Sequence, residues 1–104
     1  MTYSHIGPFE WDQMKADSNY KKHGVDFYEA MTVWSADYRL ELLNSDEAQT
    51  EIRWIRIGYS IKAKLLVVIY TEKNEGEQIR IISARSATKK EELQYNSNIC
   101  MVIK

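Results

Sequence analysis

The spacing of apolar residues along this chain changes from a helical to a strand period near its middle. After a short lead in which "PFEW" predicts an edge strand, "DQMKADSNYKKHG" reads as a short helix. Asp12 suits its N-cap, Lys21, Lys22 and His23 suit the C-terminal end of its dipole, and Gly24 can close it at positive φ. In "DFYEAMTVWSAD" the residues Phe27, Ala30, Met31 and Trp34 fall at i, i+3, i+4 and i+7, a stripe that faces a core. Asp26 and Glu29 form a capping box ahead of that second helix.

From Arg39 onward the pattern alternates. "RLELL" predicts a short strand and "NSDEAQTE" an acidic loop. "EIRWIRIGYS" and "KLLVVIYTE" are strands joined by a turn around "IKA", and "KNEGE" is a glycine-containing hairpin loop leading into the strand "QIRIISAR". "LLVVI" has no polar face, which places its strand centrally, covered on both sides. In "TKKEELQYN", Thr88 with Glu91 three residues later is a capping box that opens a last helix. The apolar tail "NICMVIK" has no assigned place: an added edge strand, a cover for one sheet face and a partner-docking segment all fit it. The order predicts an α+β fold, an antiparallel sheet of about four strands with two N-terminal helices and a short C-terminal helix.

Composition narrows the class. At 104 residues, 44% hydrophobic and 28% charged, residues 1–104 make one globular domain. Cys100 is the sole cysteine, so no internal disulfide can form. No apolar run reaches membrane-helix length and the N-terminus lacks a basic, apolar leader, so the expected location is the cytoplasm, away from membranes. The net charge of −1 hides a split: residues 1–51 hold 4 Lys/Arg against 10 Asp/Glu, and residues 52–104 hold 10 against 5. Such asymmetry fits an anion-binding face set against solvent or a basic partner; the two halves neutralising each other in the fold is the competing reading.

The inventory of candidate chemistry is short. The two histidines and the cysteine lie far apart, with no metal-ligand spacing, phosphate-binding glycine loop or nucleophile elbow, and no cofactor is expected. What remains is a set of cations on strands with a few proton carriers. Arg53 and Arg56 are three apart and so face opposite sides of their strand. Arg80 and Arg85 also have odd spacing, unless the strand ends before Arg85. One of each pair can then share the uncovered sheet face with Tyr70 or Glu72. That combination suits RNA, because a guanidinium holds phosphate with two N–H groups and Tyr, Glu or His can move protons. Each residue also has a plainer reading. His23 can simply satisfy a helix C-terminus, Lys22 can be a solvated cation, and Arg53 or Arg80 can pair with an acid such as Glu72. Arg85, at a strand-to-helix junction, can bind phosphate or tie the helix down through an ion pair. Trp11, Trp34 and Trp54 suit a core or a protein interface better than base stacking.

Three segments carry a resemblance: "FEWDQMKADSNYKKHGVDFYEA" (9–30), "RWIRIGYSIKAKLLVVIYTE" (53–72) and "IRIISARSATKKEELQY" (79–95). In that order, over most of residues 9–95, the chain resembles the BrnT family of bacterial toxins, ribonucleases of RelE-like fold from type II toxin–antitoxin modules. The resemblance implies a metal-independent RNA endonuclease that inhibits translation and growth. It further implies a ribbon-helix-helix antitoxin, joined in a heterotetrameric complex that binds operator DNA through the antitoxin. Carried over, it places catalytic positions at His23, Arg53, Glu72, Arg80 and Arg85 and substrate-binding positions at Lys22 and Tyr70. This chain departs from the family pattern in two places. It has no histidine in the acidic loop "NSDEAQTEIRW", and Lys73 stands where an arginine commonly follows the glutamate. Residues 96–104 lie outside the resemblance. The alternative function is a non-catalytic nucleic-acid- or protein-binding module, or a degenerate toxin, using the same basic face.

Overall fold

A computed structural model describes residues 2–44 and 51–103 of the chain, with the side chains of residues 99–103 outside the description. Strands β1 (Tyr3–Ile6) and β2 (Phe9–Asp12) form a hairpin that leads into α1 (Gln13–His23) and α2 (Phe27–Met31). A 3-10 turn (Thr32–Ser35) then leads to β3 (Leu40–Asn44), β4 (Arg53–Tyr59), β5 (Leu65–Lys73), β6 (Gln78–Ser86) and α3 (Lys89–Ile103). The strands form one sheet in the order β1-β2-β6-β5-β4-β3. All neighbours run antiparallel except β2 and β6, which are parallel.

The helix signals read from the sequence are in place. Asp12 caps α1 by accepting from the Met14 N–H at 2.9 Å, and Gly24 ends it at φ 71. Asp26 caps α2 by accepting from the Glu29 N–H at 2.7 Å. The Phe27, Ala30, Met31 and Trp34 stripe packs with Trp11, Val25 and Val33 on Leu66, Val68, Ile81 and Ala84 of the sheet. At Gly58 the 3-10 turn sits so close that an added Cβ would lie 2.9 Å from Val33 Cγ1. A smaller cluster on the other side of the sheet joins Ile57 and Val67 to Tyr95 of α3. With cover from both sides, β5 is the central strand that its unbroken apolar run implied.

Four expectations change. The sheet has six strands rather than about four, and it is mixed rather than antiparallel. The lead folds back at Gly7 (φ 56) and contributes β1, so β2 is an inner strand and β1 takes the edge. The single helix expected over residues 26–37 breaks at Thr32, whose hydroxyl donates to the Glu29 carbonyl at 2.6 Å and accepts from the Ile61 N–H at 2.9 Å. These bonds draw the chain into a tighter 3-10 turn. Finally, the last helix is not short: it runs on to Ile103 and absorbs most of the apolar tail. The acidic loop "NSDEAQTE" falls largely on residues 45–50, outside the described residues.

The β6 strand would be an exposed edge beyond its two-residue pairing with β2, and α1 covers it there. The Asn19 side-chain amide donates to the Ala84 carbonyl at 2.8 Å and accepts from the Ala84 N–H at 3.1 Å. It thus pairs with β6 as a neighbouring strand would, and it donates to the Val25 carbonyl at 3.0 Å as well. A polar side chain buried at the helix–sheet seam is therefore fully employed, and the edge is closed.

Candidate active site

A β-bulge settles which cations share a face. Ile69 pairs with Ser83 but Tyr70 pairs with Ile81, so Ile82 is an extra residue in β6. Across that extra residue, the odd spacing from Arg80 to Arg85 becomes an even alternation, and both arginines emerge on the same side of the sheet. Arg53 joins them, because it precedes Trp54, which lies opposite Tyr70 on the helix side. Lys73 is two residues from Thr71, the direct partner of Arg80, and so lies on that side too. Arg53, Lys73, Arg80 and Arg85 keep 30%, 37%, 26% and 37% of their side-chain surface exposed, so each remains reachable by a ligand. The strand does not end before Arg85; the bulge does the work that a break was expected to do.

Glu10 organises one end of this face. It is 3% exposed and lies directly across β2–β6 from Arg80. Its Oε2 accepts from Arg80 Nε at 2.8 Å, with Arg80 Nη2 2.7 Å and Lys73 Nζ 3.6 Å away as ion-pair partners, and its Oε1 accepts from Gln78 Nε2. Burial opposes ionisation of Glu10, but the hydrogen bonds and charge of Arg80, with the charges of Lys73 and His5, outweigh it and hold the carboxyl below its ordinary value. The Tyr3 ring covers the Arg80 guanidinium at 4.8 Å. Glu10 and the Tyr3 ring thus hold Arg80 from two sides. The acid that pairs with it is Glu10, not Glu72. Glu10, Tyr3 and His5 were missed in the sequence reading, although the alternation "YSH" and "FEWD" about a Gly-Pro turn carries them.

At the other end, Arg85 grips α3. Its Nη1 and Nη2 donate to the two Glu91 carboxylate oxygens at 2.7 and 2.8 Å, a two-pronged ion pair. The Arg85 hydrogen bonds, against the cost of burial, pull the Glu91 carboxyl down to about 2, and the same bonds raise the Arg85 pKa. Glu91 also accepts from the Thr88 N–H at 2.8 Å, while the Thr88 hydroxyl accepts from the Glu91 N–H at 3.2 Å, so the capping box forms in full.

Tyr70 and Glu72 do not join the arginines. Tyr70 faces the helix layer, 1% exposed, with Trp34 edge-on at 4.9 Å, and its hydroxyl donates to Glu41 at 3.3 Å. Burial, reinforced by Glu41, raises the Tyr70 pKa. Glu72 is exposed on that same side, beside Gly76 of the hairpin loop. Arg56 lies on this side, stacked 4.3 Å over Trp34 and bonded through Nη2 to Glu41, which also accepts from Arg39 Nε at 3.4 Å.

Lys22 and His23 end α1 beside an open groove of about 340 Å³, which Ser18, Ile82 and Ser83 also line. Ser83 lies on the arginine side of the sheet, between Arg80 and Arg85, so the groove opens onto the rim of that face. Among the described residues no three His, Cys, Asp or Glu side chains converge as a metal site, and no helix is long and apolar enough to cross a membrane.

Residues 11–91 match the family model for the ribonuclease toxin BrnT of type II toxin–antitoxin systems. The chain belongs to the BrnT family. The fold agrees. The crystal structure of the Brucella abortus ribonuclease toxin BrnT superposes with a TM-score of 0.54 at 27% identity, covering 76% of this chain and 94% of that one. No curated protein sequence matches the chain. Membership in a ribonuclease toxin family of two-component modules implies an antitoxin partner. Every cation of the face lies within the matched residues, whereas β1 and Glu10 precede them and most of α3 follows them.

Proposed function

We propose that the chain is a metal-independent RNA endonuclease that cleaves RNA on the β4–β5–β6 face opposite α1 and α2, inhibiting translation and growth. The observation that carries this reading is the bulge at Ile82, which gathers Arg80 and Arg85 on one face with Arg53 and Lys73 in a chain of a ribonuclease toxin family. RNA supplies its own nucleophile: the 2′-hydroxyl attacks the adjacent phosphate, the 5′-oxygen leaves, and a 2′,3′-cyclic end remains. Such a reaction requires charge stabilisation at the phosphate and two proton transfers. Arg80, preset by Glu10 and Tyr3, contributes the first, with Arg53 and Lys73 tracking the strand. His23 carries a proton from the rim, and Lys22 holds a neighbouring phosphate. Arg85 borders this path while it anchors α3. Tyr70 and Glu72, on the opposite side, take no part in this proposal.

The partner we propose is a ribbon-helix-helix antitoxin that covers the cationic face in a heterotetrameric complex and attaches it to operator DNA. The site of action is the bacterial cytoplasm. Induction of the chain alone in a bacterial host tests the toxin role. Growth is expected to arrest, and Arg80→Ala to relieve the arrest while the protein accumulates folded. Arrest of equal depth by both proteins would remove the arginine face from the mechanism, and unimpaired growth with the wild-type chain would remove the toxin role.

A further inference from the structure

The cleavage just described needs two proton carriers, and α1 delivers only His23. The other histidine of the chain, His5, sits on β1, outside the residues that match the family. Pairing registers place it with care: His5 is directly opposite Glu10, Glu10 directly opposite Arg80, and Arg80 directly opposite Thr71. Residues directly opposite share a sheet face, so His5, Glu10 and Arg80 form one row across three strands. From β1 the Tyr3 ring reaches the arginine at 4.8 Å, and His5 acts electrostatically on the Glu10 carboxylate. His5 is exposed, and among the described residues its ring makes no hydrogen bond or ion pair that would account for it as a structural residue.

We propose that His5 is a catalytic residue, the second proton carrier for RNA cleavage at Arg80, supplied by the N-terminal hairpin. This rests on the ribonuclease reading above. In the step, the 2′-oxygen–phosphorus bond forms and the phosphorus–5′-oxygen bond breaks. One imidazole takes the 2′-hydroxyl proton and the other gives a proton to the departing 5′-oxygen, so nothing is oxidised and no co-reactant is consumed. His5 stands in the Arg80 row and His23 lines the groove beside Ser83, so the two rings come from different elements. Glu10 is a positioning residue: it holds Arg80 and stands between that guanidinium and the His5 strand.

The test uses the full chain with an RNA oligonucleotide, comparing wild type, His5→Gln and His23→Gln across pH. His5→Gln is expected to lower kcat by about 100-fold or more, with affinity for a non-cleavable 2′-deoxy strand changed by less than about 3-fold. It should remove one limb of the pH–rate profile and His23→Gln the other: loss of the rising limb marks a base, loss of the falling limb an acid. Cleavage by His5→Gln within about 3-fold of wild type, with both limbs intact, overturns the inference alone. So does a rise in KM with kcat kept, which would make His5 a binding residue only. No cleavage by wild type would overturn the ribonuclease reading and this inference with it. His5 is exposed on an edge strand, so an unchanged circular-dichroism melting curve is expected of the variant.

Discussion

Glu91 is bonded in three directions: to both terminal nitrogens of Arg85, to the Thr88 N–H, and through its own N–H to the Thr88 hydroxyl. Arg85, the largest contributor, holds its carboxyl at about 2, below the 4.5 of an ordinary glutamate. A carboxyl whose pKa is lower in the folded chain adds stability above its unfolded pKa and loses it as pH falls through the folded value. The contribution of Glu91 should therefore be complete above about pH 5 and fade toward pH 2. Urea unfolding of wild type and Glu91→Gln checks this. The variant should be less stable by roughly 1–2 kcal/mol at pH 6, and the gap should close near pH 2. A gap that persists unchanged at low pH would mean that the charge of Glu91 is not what ties α3 down. From sequence, Arg85 can bind phosphate or tie the helix down. Its two-pronged grip on Glu91 is the plainer of the two roles weighed for it, and it sits on the proposed RNA path with that role already filled.

Among the elements, α1 and β6 show best what was legible and what was not. The start and stop of α1 follow from Asp12 and Gly24, whose side-chain chemistry and backbone freedom act within a few residues. The role of Asn19 was not legible, because its partner Ala84 lies 65 residues away. Replacing Asn19 with Ala leaves the Ala84 N–H and carbonyl and the Val25 carbonyl without these partners. It is expected to cost roughly 2–3 kcal/mol and to speed amide exchange at Ala84. Exchange at Ala84 unchanged in Asn19→Ala would show that α1 does not close that edge. In β6, period-two alternation located the strand but misjudged its faces, since one extra residue at Ile82 reverses the parity of everything after it. The same limit hid the cationic face: Arg80 and Arg85 were named, while their common side followed only from registers with β5. Glu10 escaped because β2 pairs with β6 in parallel across a long stretch of sequence, and no local pattern reports such a pairing. The signal of β1, which brings His5, was weak for a different reason: the strand is four residues long, half of them exposed.

For the whole molecule, the sheet divides the chemistry. One side packs under α1, α2 and the 3-10 turn, and it holds Arg56, Trp34 and Tyr70 in contact with one another. The other side carries Arg53, Lys73, Arg80 and Arg85, each partly open, with α3 seated at one end and the N-terminal hairpin at the other. The overall charge split of the sequence finds its counterpart here, since all four cations come from the positive second half and Glu10 from the acidic first. The central claim is that this open side cleaves RNA by acid–base chemistry. The measurement that tests it most directly is incubation of the purified chain with RNA in EDTA, with the new ends identified chemically. Fragments ending in 2′,3′-cyclic phosphate are expected, at a rate reduced by about 100-fold or more in folded Arg80→Ala. Intact RNA at excess protein, or cleavage that Arg80→Ala leaves unchanged, would contradict it.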